Sequence, residues 1–376
     1  MKILFFTHYT ALFGANRSLI ALAHQLQIKS YKVIVLLPTQ GPLCKELEIR
    51  NIPYIIEEFY DEFYYKRGFS RLLGLKRHIE NRLNIGKILK VVNSIKPDII
   101  HSNSSALQIG AKVAYKLNIP HVWHIREFGL QDYKAAYNMG LKNHLKWLNR
   151  SAHIISISEA LKNEVLSAVK APISIIYNGV MSEESMRKLP KQFRQSEKAV
   201  FALVASFRSE KGHKDALDAF IDVADKLPKA ELLLVGDCDN AFGNQLKEKV
   251  NQSGLTSRVK FPGFIDNPDE IYGEIDVLLM CSKSEAMGRV TAEAFAHSKP
   301  VIAFNGGANP ELIENGIDGF LYANPQGLID AMLKLGSDAE LRLKIGEKGY
   351  QKALSLFTEE IYASKVEKVY KQVLKY

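Results

Sequence analysis

The stretch SEAMGRVTAEAFAHSKPVIAFNGGANPELIENGIDGFL (residues 284–321) decides the fold. An apolar run, IDVLLM (275–280), leads into it and reads as a buried parallel strand. Cys281 to Glu285 then form the loop at that strand's carboxyl end, Gly288 opens the next helix, and Glu293 lies within it. A second apolar run, PVIAF (300–304), ends in Asn305-Gly306-Gly307, with Glu311 near the start of a further helix. Three carboxylates and two glycine turns are thereby expected at one edge of a parallel sheet, the edge where open α/β sheets bind ligands.

This stretch resembles the donor-nucleotide motif of retaining glycosyltransferases with the GT-B fold, the large family that includes sucrose synthase and the mannosyltransferases of bacterial lipids. Glu285 and Glu293 have the spacing of the family's two glutamates, with Lys299-Pro300-Val301, the Gly306-Gly307 pair, Glu311 and Gly316-x-x-Gly319 following in register. Taken singly, these are ordinary helix-face glutamates and turn glycines; a run of about forty residues in register is what carries the resemblance. It implies an α/β chain of two Rossmann-like domains facing an interdomain cleft, with a C-terminal helix crossing back to the first domain. The expected division is an acceptor-binding domain over 1–182 joined by 358–376, a linker over 183–197, and a nucleotide-sugar-binding domain over 198–357.

The 376 residues suffice for two domains, and 47% hydrophobic with 24% charged residues is ordinary globular composition. Cys44, Cys238 and Cys281 offer neither metal-ligand spacing nor a disulfide framework, so a cytoplasmic location is expected. The opening MKILFFTHYT is too short an apolar run for a signal peptide, and no stretch approaches the ~20 apolar residues of a membrane span. The net charge of +9 points to anionic partners. No zinc finger, helix-turn-helix or RNA-recognition signature accompanies it, which leaves nucleic acid unsupported.

In chain order, Lys2–Thr7 reads as a strand, His8–Gly14 as a loop and Ala15–Ile28 as a helix. Gly14 permits close backbone approach at a helix N-terminus that offers N–H groups to an anion. The resembled family has a glycine pair here beside the donor phosphates; Phe13 replaces the first glycine. Residues 59–90 interleave Lys66, Arg67, Arg71, Lys76, Arg77, Arg82, Lys87 and Lys90 with Phe, Tyr and Leu. Two readings stand for this segment: contact with an anionic membrane surface, which would make the protein peripheral on the inner face of the cell membrane, or a solvated helix face with a long loop. The strand His121–Ile125 continues into Arg126-Glu127, which the register from Ile119-Pro120 sets where the family has a His-Asp pair touching sugar. His124 or Arg126 is then the catalytic-site contact, while a structural histidine is the plain alternative for His124 and His101.

ISIIYNGV (173–180) is similar to the strand and turn that close the family's first domain, and 182–197 carries no long period. Beyond it, Lys211-Gly212 corresponds to the family's Lys-Gly, whose lysine reaches the donor diphosphate. The family arginine five residues earlier is replaced by Ser206. Arg208 is the nearest substitute, pointing the same way as Ser206 in an extended segment. Phe264, after Gly263, is expected beside the nucleotide base.

The reaction implied is transfer of a sugar from a UDP- or GDP-sugar to a saccharide or lipid-linked saccharide hydroxyl, with the nucleotide sugar as co-substrate and neither cofactor nor metal expected. Glu285 would orient the sugar, Glu293 would grip the ribose, and Gly14, Arg208, Lys211, Gly288, Gly307 and Glu311 would line the donor. Three other classes compete: a GT-B-type nucleotide-sugar epimerase or hydrolase, a catalytically silent fold member acting as a binding partner, and a nicotinamide oxidoreductase. The last would need a glycine fingerprint after the strand around Phe5 or Val204, and neither place has one.

Overall fold

Runs of near-continuous apolar residues become the strands of two parallel sheets, because a strand covered on both faces has no solvent side for polar residues. The computed structural model describes residues 1–65, 70–130, 134–189 and 198–375. Lys66 and Arg67 of the basic segment, and residues 190–197 of the expected linker, lie outside the described residues.

One unit comprises Met1–Gly179 together with Glu359–Tyr376. Its strands in chain order are β1 (Lys2–Phe6), β2 (Lys32–Leu37), β3 (Tyr54–Ile56), β4 (Phe63–Tyr65), β5 (Ile99–Ser102), β6 (His121–Ile125), β7 (Ala135–Tyr137), β8 (His153–Ser156) and β9 (Ile173–Ile175). Seven of them form a parallel sheet in the order β3-β2-β1-β5-β6-β8-β9, while β4 and β7 pair separately and antiparallel. The helices are α1 (Gly14–Ile28), α2 (Pro42–Ile49), α3 (Ser70–Ile95), α4 (Gln108–Leu117), α5 (Gly140–Leu148) and α6 (Glu159–Val165). Ser158 caps α6, its Oγ accepting from the Leu161 N–H at 3.0 Å.

The other unit comprises Val180–Thr358. It begins with α7 (Glu183–Lys188), so part of the expected linker is helical, with Met186 buried. There follow β10 (Val200–Val204), α8 (His213–Val223), β11 (Glu231–Val235), α9 (Ala241–Gln252), β12 (Val259–Gly263), α10 (Pro268–Glu274), β13 (Val277–Met280), α11 (Arg289–Ala296), β14 (Val301–Phe304), α12 (Asn309–Leu312), β15 (Gly319–Tyr322), α13 (Pro325–Ser337) and α14 (Ala339–Leu356). The sheet order is β12-β11-β10-β13-β14-β15, all parallel.

In each sheet the order reverses once, after β1 in the first and after β10 in the second. The crevice between β1 and β5, and that between β10 and β13, are therefore the topological switch points. The chain ends with α15 (Glu359–Leu374), which returns to the first unit. It lays Tyr362, Val366, Val369 and Tyr370 into the core that Leu19, Leu22 and Leu26 of α1 share with β1 and β2. Lys29 and Tyr31 donate to Glu367 at 2.9 and 2.8 Å along the rim of this contact.

Three elements differ from the expectations. The β4–β7 ribbon and β15 were not anticipated, being short or hidden behind the glycine motif. Within ISIIYNGV the strand spans Ile173–Ile175, and Asn178-Gly179, expected as a turn, lies in loop.

Because Val366 is fully buried against α1, Val366→Asp would place an unpaired carboxylate in the core. Urea unfolding of the purified variant is expected to show a loss of about 3 kcal/mol or more, and an unchanged midpoint would mean that α15 does not hold this unit together.

Candidate functional site

At the switch point of the second unit, three loops meet because two glycines let them. Gly212, at φ +76°, ends the loop after β10; a Cβ there would lie 2.4 Å from the carbonyl oxygen of Cys281, at the end of β13. Gly307, at φ +56°, follows β14, and a Cβ there would lie 2.6 Å from both the nitrogen and the oxygen of Glu285. The Ala308 N–H donates to the Glu285 carbonyl at 2.8 Å. Both glycines thus combine a left-handed backbone with an approach that no side chain could share.

The consequence is a defined pair: Lys211 Nζ donates to Glu285 Oε2 at 3.0 Å, with both side chains partly exposed. Gly288, the left-handed N-cap of α11, lies against the Glu285 side chain. Glu293, one face further along α11, is nearly buried. Its Oε1 accepts from Arg289 Nε at 2.7 Å and its Oε2 from the Tyr272 hydroxyl at 3.3 Å. Burial and the Glu293 charge push the Tyr272 hydroxyl well above its usual range, so it remains a donor, shared with the Val290 carbonyl at 3.0 Å.

The other expected donor residues are placed less tightly. Arg208 Nε approaches Glu210 Oε2 at 3.9 Å. The segment is also not extended as expected: the Arg208 N–H bonds the Ser206 carbonyl at 2.8 Å, closing a tight turn around the buried Phe207. Phe264 is 67% exposed after the left-handed Gly263, and Glu311 is half-exposed in α12. Among the described residues, no group of three or more His, Cys, Asp and Glu side chains is placed to hold a metal ion.

In the first unit Gly14 is the exposed first residue of α1. The loop before it is held by Asn16, whose amide donates to the carbonyls of Tyr9 and Ala11, each at 2.9 Å. Asn103, after β5, donates to the Ala15 carbonyl at 3.1 Å and accepts from Arg126 Nε at 2.8 Å.

Arg126 is itself buried. It also donates to the Asn178 side-chain oxygen, to the Tyr362 hydroxyl at 2.8 Å and to His124 Nδ1 at 3.3 Å. His124 is fully buried, its ring 5.4 Å from that of His101, whose Nδ1 lies 2.6 Å from the Tyr370 hydroxyl. The guanidinium therefore ties the carboxyl ends of β5, β6 and the loop after β9 to α15. Glu127, at the aspartate position of the family pair, accepts from Ser104 Oγ at 2.6 Å and from the Ser105 N–H at 2.7 Å.

Tyr272, Asn103, Tyr362 and Tyr370 had no signal in the sequence. The Arg289–Glu293 pair did, since charges four residues apart on a helix are neighbours.

These two doubly wound parallel sheets match the GT-B fold, and two family matches that together span residues 14–352 place the chain among the glycosyltransferases of group 1 and family 4. Residues 14–184 match the family described as Glycosyltransferase Family 4, and residues 185–352 match that described as Glycosyl transferases group 1. The N-acetyl-alpha-D-glucosaminyl L-malate synthase of Bacillus anthracis is 30% identical over 237 residues, which are 61% of this chain and 61% of that relative, short of two thirds of its length. The O-antigen biosynthesis glycosyltransferase WclY of Escherichia coli is 27% identical over 293 residues, 74% of this chain and 80% of the relative. The crystal structure of the Anabaena protein HepE in complex with UDP has a TM-score of 0.80 at 23% identity, covering 99% of this chain and 100% of that one.

Burial lowers the pKa of six histidines of the first unit, His153 among them. His8 is pushed down to about 4 and His121 and His144 to about 3; His101 and His124 fall well below the usual range, aided by the adjacent Arg126 charge. In the unfolded chain each titrates near 6.5. Below that pH the unfolded state takes up protons that the folded unit refuses until about pH 4 to 3, so stability falls as pH drops through this window and is retained above it. Each group contributes up to about 1.4 kcal/mol per pH unit. The urea midpoint is expected to hold between about pH 7 and 8 and to fall steeply between about 6 and 4.5; a flat profile would contradict neutral, buried imidazoles.

Proposed function

We propose that the protein is a retaining glycosyltransferase that moves a sugar from a UDP- or GDP-sugar to a hydroxyl of a saccharide or lipid-linked saccharide, in the building of bacterial surface polysaccharide or glycolipid. In this reading the second unit holds the donor and the first receives the acceptor. The observation that carries it is the Lys211–Glu285 pair at 3.0 Å, set at the carboxyl edge of the sheet by Gly212 and Gly307.

The transition state has oxocarbenium character, and the leaving diphosphate gathers negative charge. Groups placed in advance to meet that charge lower the barrier. Lys211 supplies a cation, and Arg208 a second one from the same loop. Glu285 offers an acceptor to the sugar hydroxyls. Glu293, oriented by Arg289 and Tyr272, keeps lone pairs for two ribose hydroxyls. His124 and Arg126, being buried, act by fixing the strand ends of the first unit rather than by offering exposed atoms. No metal or cofactor is part of this reading, because its cations are the protein's own, and activity is expected to persist in excess chelator.

The UDP in the HepE structure supports UDP as the first donor base to test, and the O-antigen role named for the Escherichia coli relative supports a surface-polysaccharide acceptor. Three free, buried cysteines fit a reducing cytoplasm. Among the described residues no helix is long and apolar enough to cross a membrane.

Calorimetric titration with UDP and GDP, set beside turnover, separates the two glutamates. Glu293→Ala, with Glu293→Gln as the variant that keeps the side chain's shape, is expected to weaken nucleotide binding by about tenfold or more. Glu285→Ala is expected to leave binding nearly unchanged and to lower turnover by at least about tenfold. The reverse pattern would overturn the assignment of roles.

Arg208→Ala is expected to lower turnover by about tenfold, equivalent to about 1.4 kcal/mol of transition-state stabilisation. Near-normal turnover in the folded variant would pass the role of second cation to another residue, with Lys283 the next to test.

A further inference from the structure

The long helix α3 is pinned on its inner face by polar ties as well as apolar ones. Asn81 accepts from the Tyr60 N–H at 2.8 Å and donates to the Tyr60 carbonyl at 2.9 Å, Arg77 pairs with Asp61 at 2.6 Å, and His78 lies 3.0 Å from the buried Glu62, which Lys112 also meets at 2.7 Å. Gly74, Asn81, Ile88 and Val92, spaced by a helical period, form the buried side.

The opposite side is apolar too. Leu72, Leu75, Ile79 and Leu83 follow at steps of three and four residues, so they form one stripe about 16 Å long. They are 64%, 46%, 50% and 75% exposed. Arg71, Lys76, Arg82, Lys87 and Lys90 flank or extend that stripe, all exposed. Glu80 is the one acidic residue of α3, and it lies 3.7 Å from Lys76. Among the described residues Arg71, Arg82, Lys87 and Lys90 make no ion pair with another.

We propose that this outer face of α3 is a docking surface for an anionic phospholipid bilayer. The inference is independent of the donor assignment and would stand if that assignment failed. A second copy of the chain would bury the leucines but would set five cations against five cations. A bilayer accepts both features at once: leucines enter the boundary between head groups and acyl chains, while the long basic side chains keep their charges among the phosphates. The polar ties on the inner face hold the helix in place, so binding needs no rearrangement of the fold.

The test is co-sedimentation of the full chain with vesicles of phosphatidylcholine alone and of phosphatidylcholine with phosphatidylglycerol. Partition is expected to be at least about tenfold stronger on the anionic vesicles and to be largely lost as salt rises to about 0.5 M. The combined variant Leu72→Gln, Leu75→Gln, Ile79→Gln, Leu83→Gln is expected to abolish it. Separately, Lys76→Glu, Arg82→Glu, Lys87→Glu is expected to lower it by about a hundredfold or more. All seven side chains are exposed, and an unchanged unfolding midpoint verifies that the variants fold. Equal partition on both vesicles, binding untouched by either variant, or no partition at all would overturn the proposal. So would a dimer in light scattering that the glutamine variant dissolves while vesicles are ignored, since the occupant would then be a second copy.

Discussion

The structure of the site depends on how closely three loops can approach the carboxyl edge of one sheet. Lys211 and Glu285 lie on different loops, after β10 and β13, and meet at 3.0 Å. That contact exists because Gly212 rests on the Cys281 backbone and Gly307 on the Glu285 backbone, at separations a Cβ could not tolerate. Loop, strand and helix are then fixed together: the Ala308 N–H on the Glu285 carbonyl fastens the loop after β14 to the loop after β13, and Gly288 starts α11 directly behind it. A ligand site built this way is rigid in its backbone, while its side chains stay partly exposed.

That partial exposure matters to the chemistry. An ion pair with both partners accessible to solvent contributes about 0 to 1 kcal/mol. In the proposed reaction Lys211 would exchange the Glu285 carboxylate for a phosphate oxygen at little cost, and Glu285 would then be released to accept from a hydroxyl. Glu293 is different. Nearly buried and held by Arg289 and Tyr272, it cannot swing away, which suits a group whose task is to hold a ligand in one orientation.

The sequence made the second unit legible because its determinants are local. Apolar runs bounded by glycine gave β13 and β14; the spacing of Glu285, Gly288 and Glu293 gave the loop and α11; Lys211-Gly212 gave the turn before α8. What it hid was non-local. The contact of Gly307 with Glu285 joins residues from different strands. β15 was masked by the glycine motif that it completes, and the three-residue strands β4 and β7 are too short for alternation to declare them. The turn at Ser206–Arg208 broke the assumption of an extended segment, since burial of Phe207 and the 2.8 Å hydrogen bond across it set the backbone there. In α3, apolar residues on opposite faces cancel the amphipathic signal, so the basic segment reads two ways in the sequence.

The first unit treats charge in the opposite manner. Arg126 is buried, and its partners are neutral: two asparagines, a tyrosine and a histidine. A buried guanidinium is tolerated when its N–H groups are met by acceptors, and here four donated bonds do so. Its charge in turn disfavours a proton on His124 and on His101, which burial already keeps neutral. The cluster is thus self-consistent in electrostatic terms, with one permanent cation surrounded by groups that cannot easily become cations themselves. Two of its hydroxyls, on Tyr362 and Tyr370, come from α15, the last helix in the chain. The strand ends of the first sheet are therefore not fully tied until the C-terminus has been placed, which makes a helix remote in sequence part of the framework at the switch-point edge.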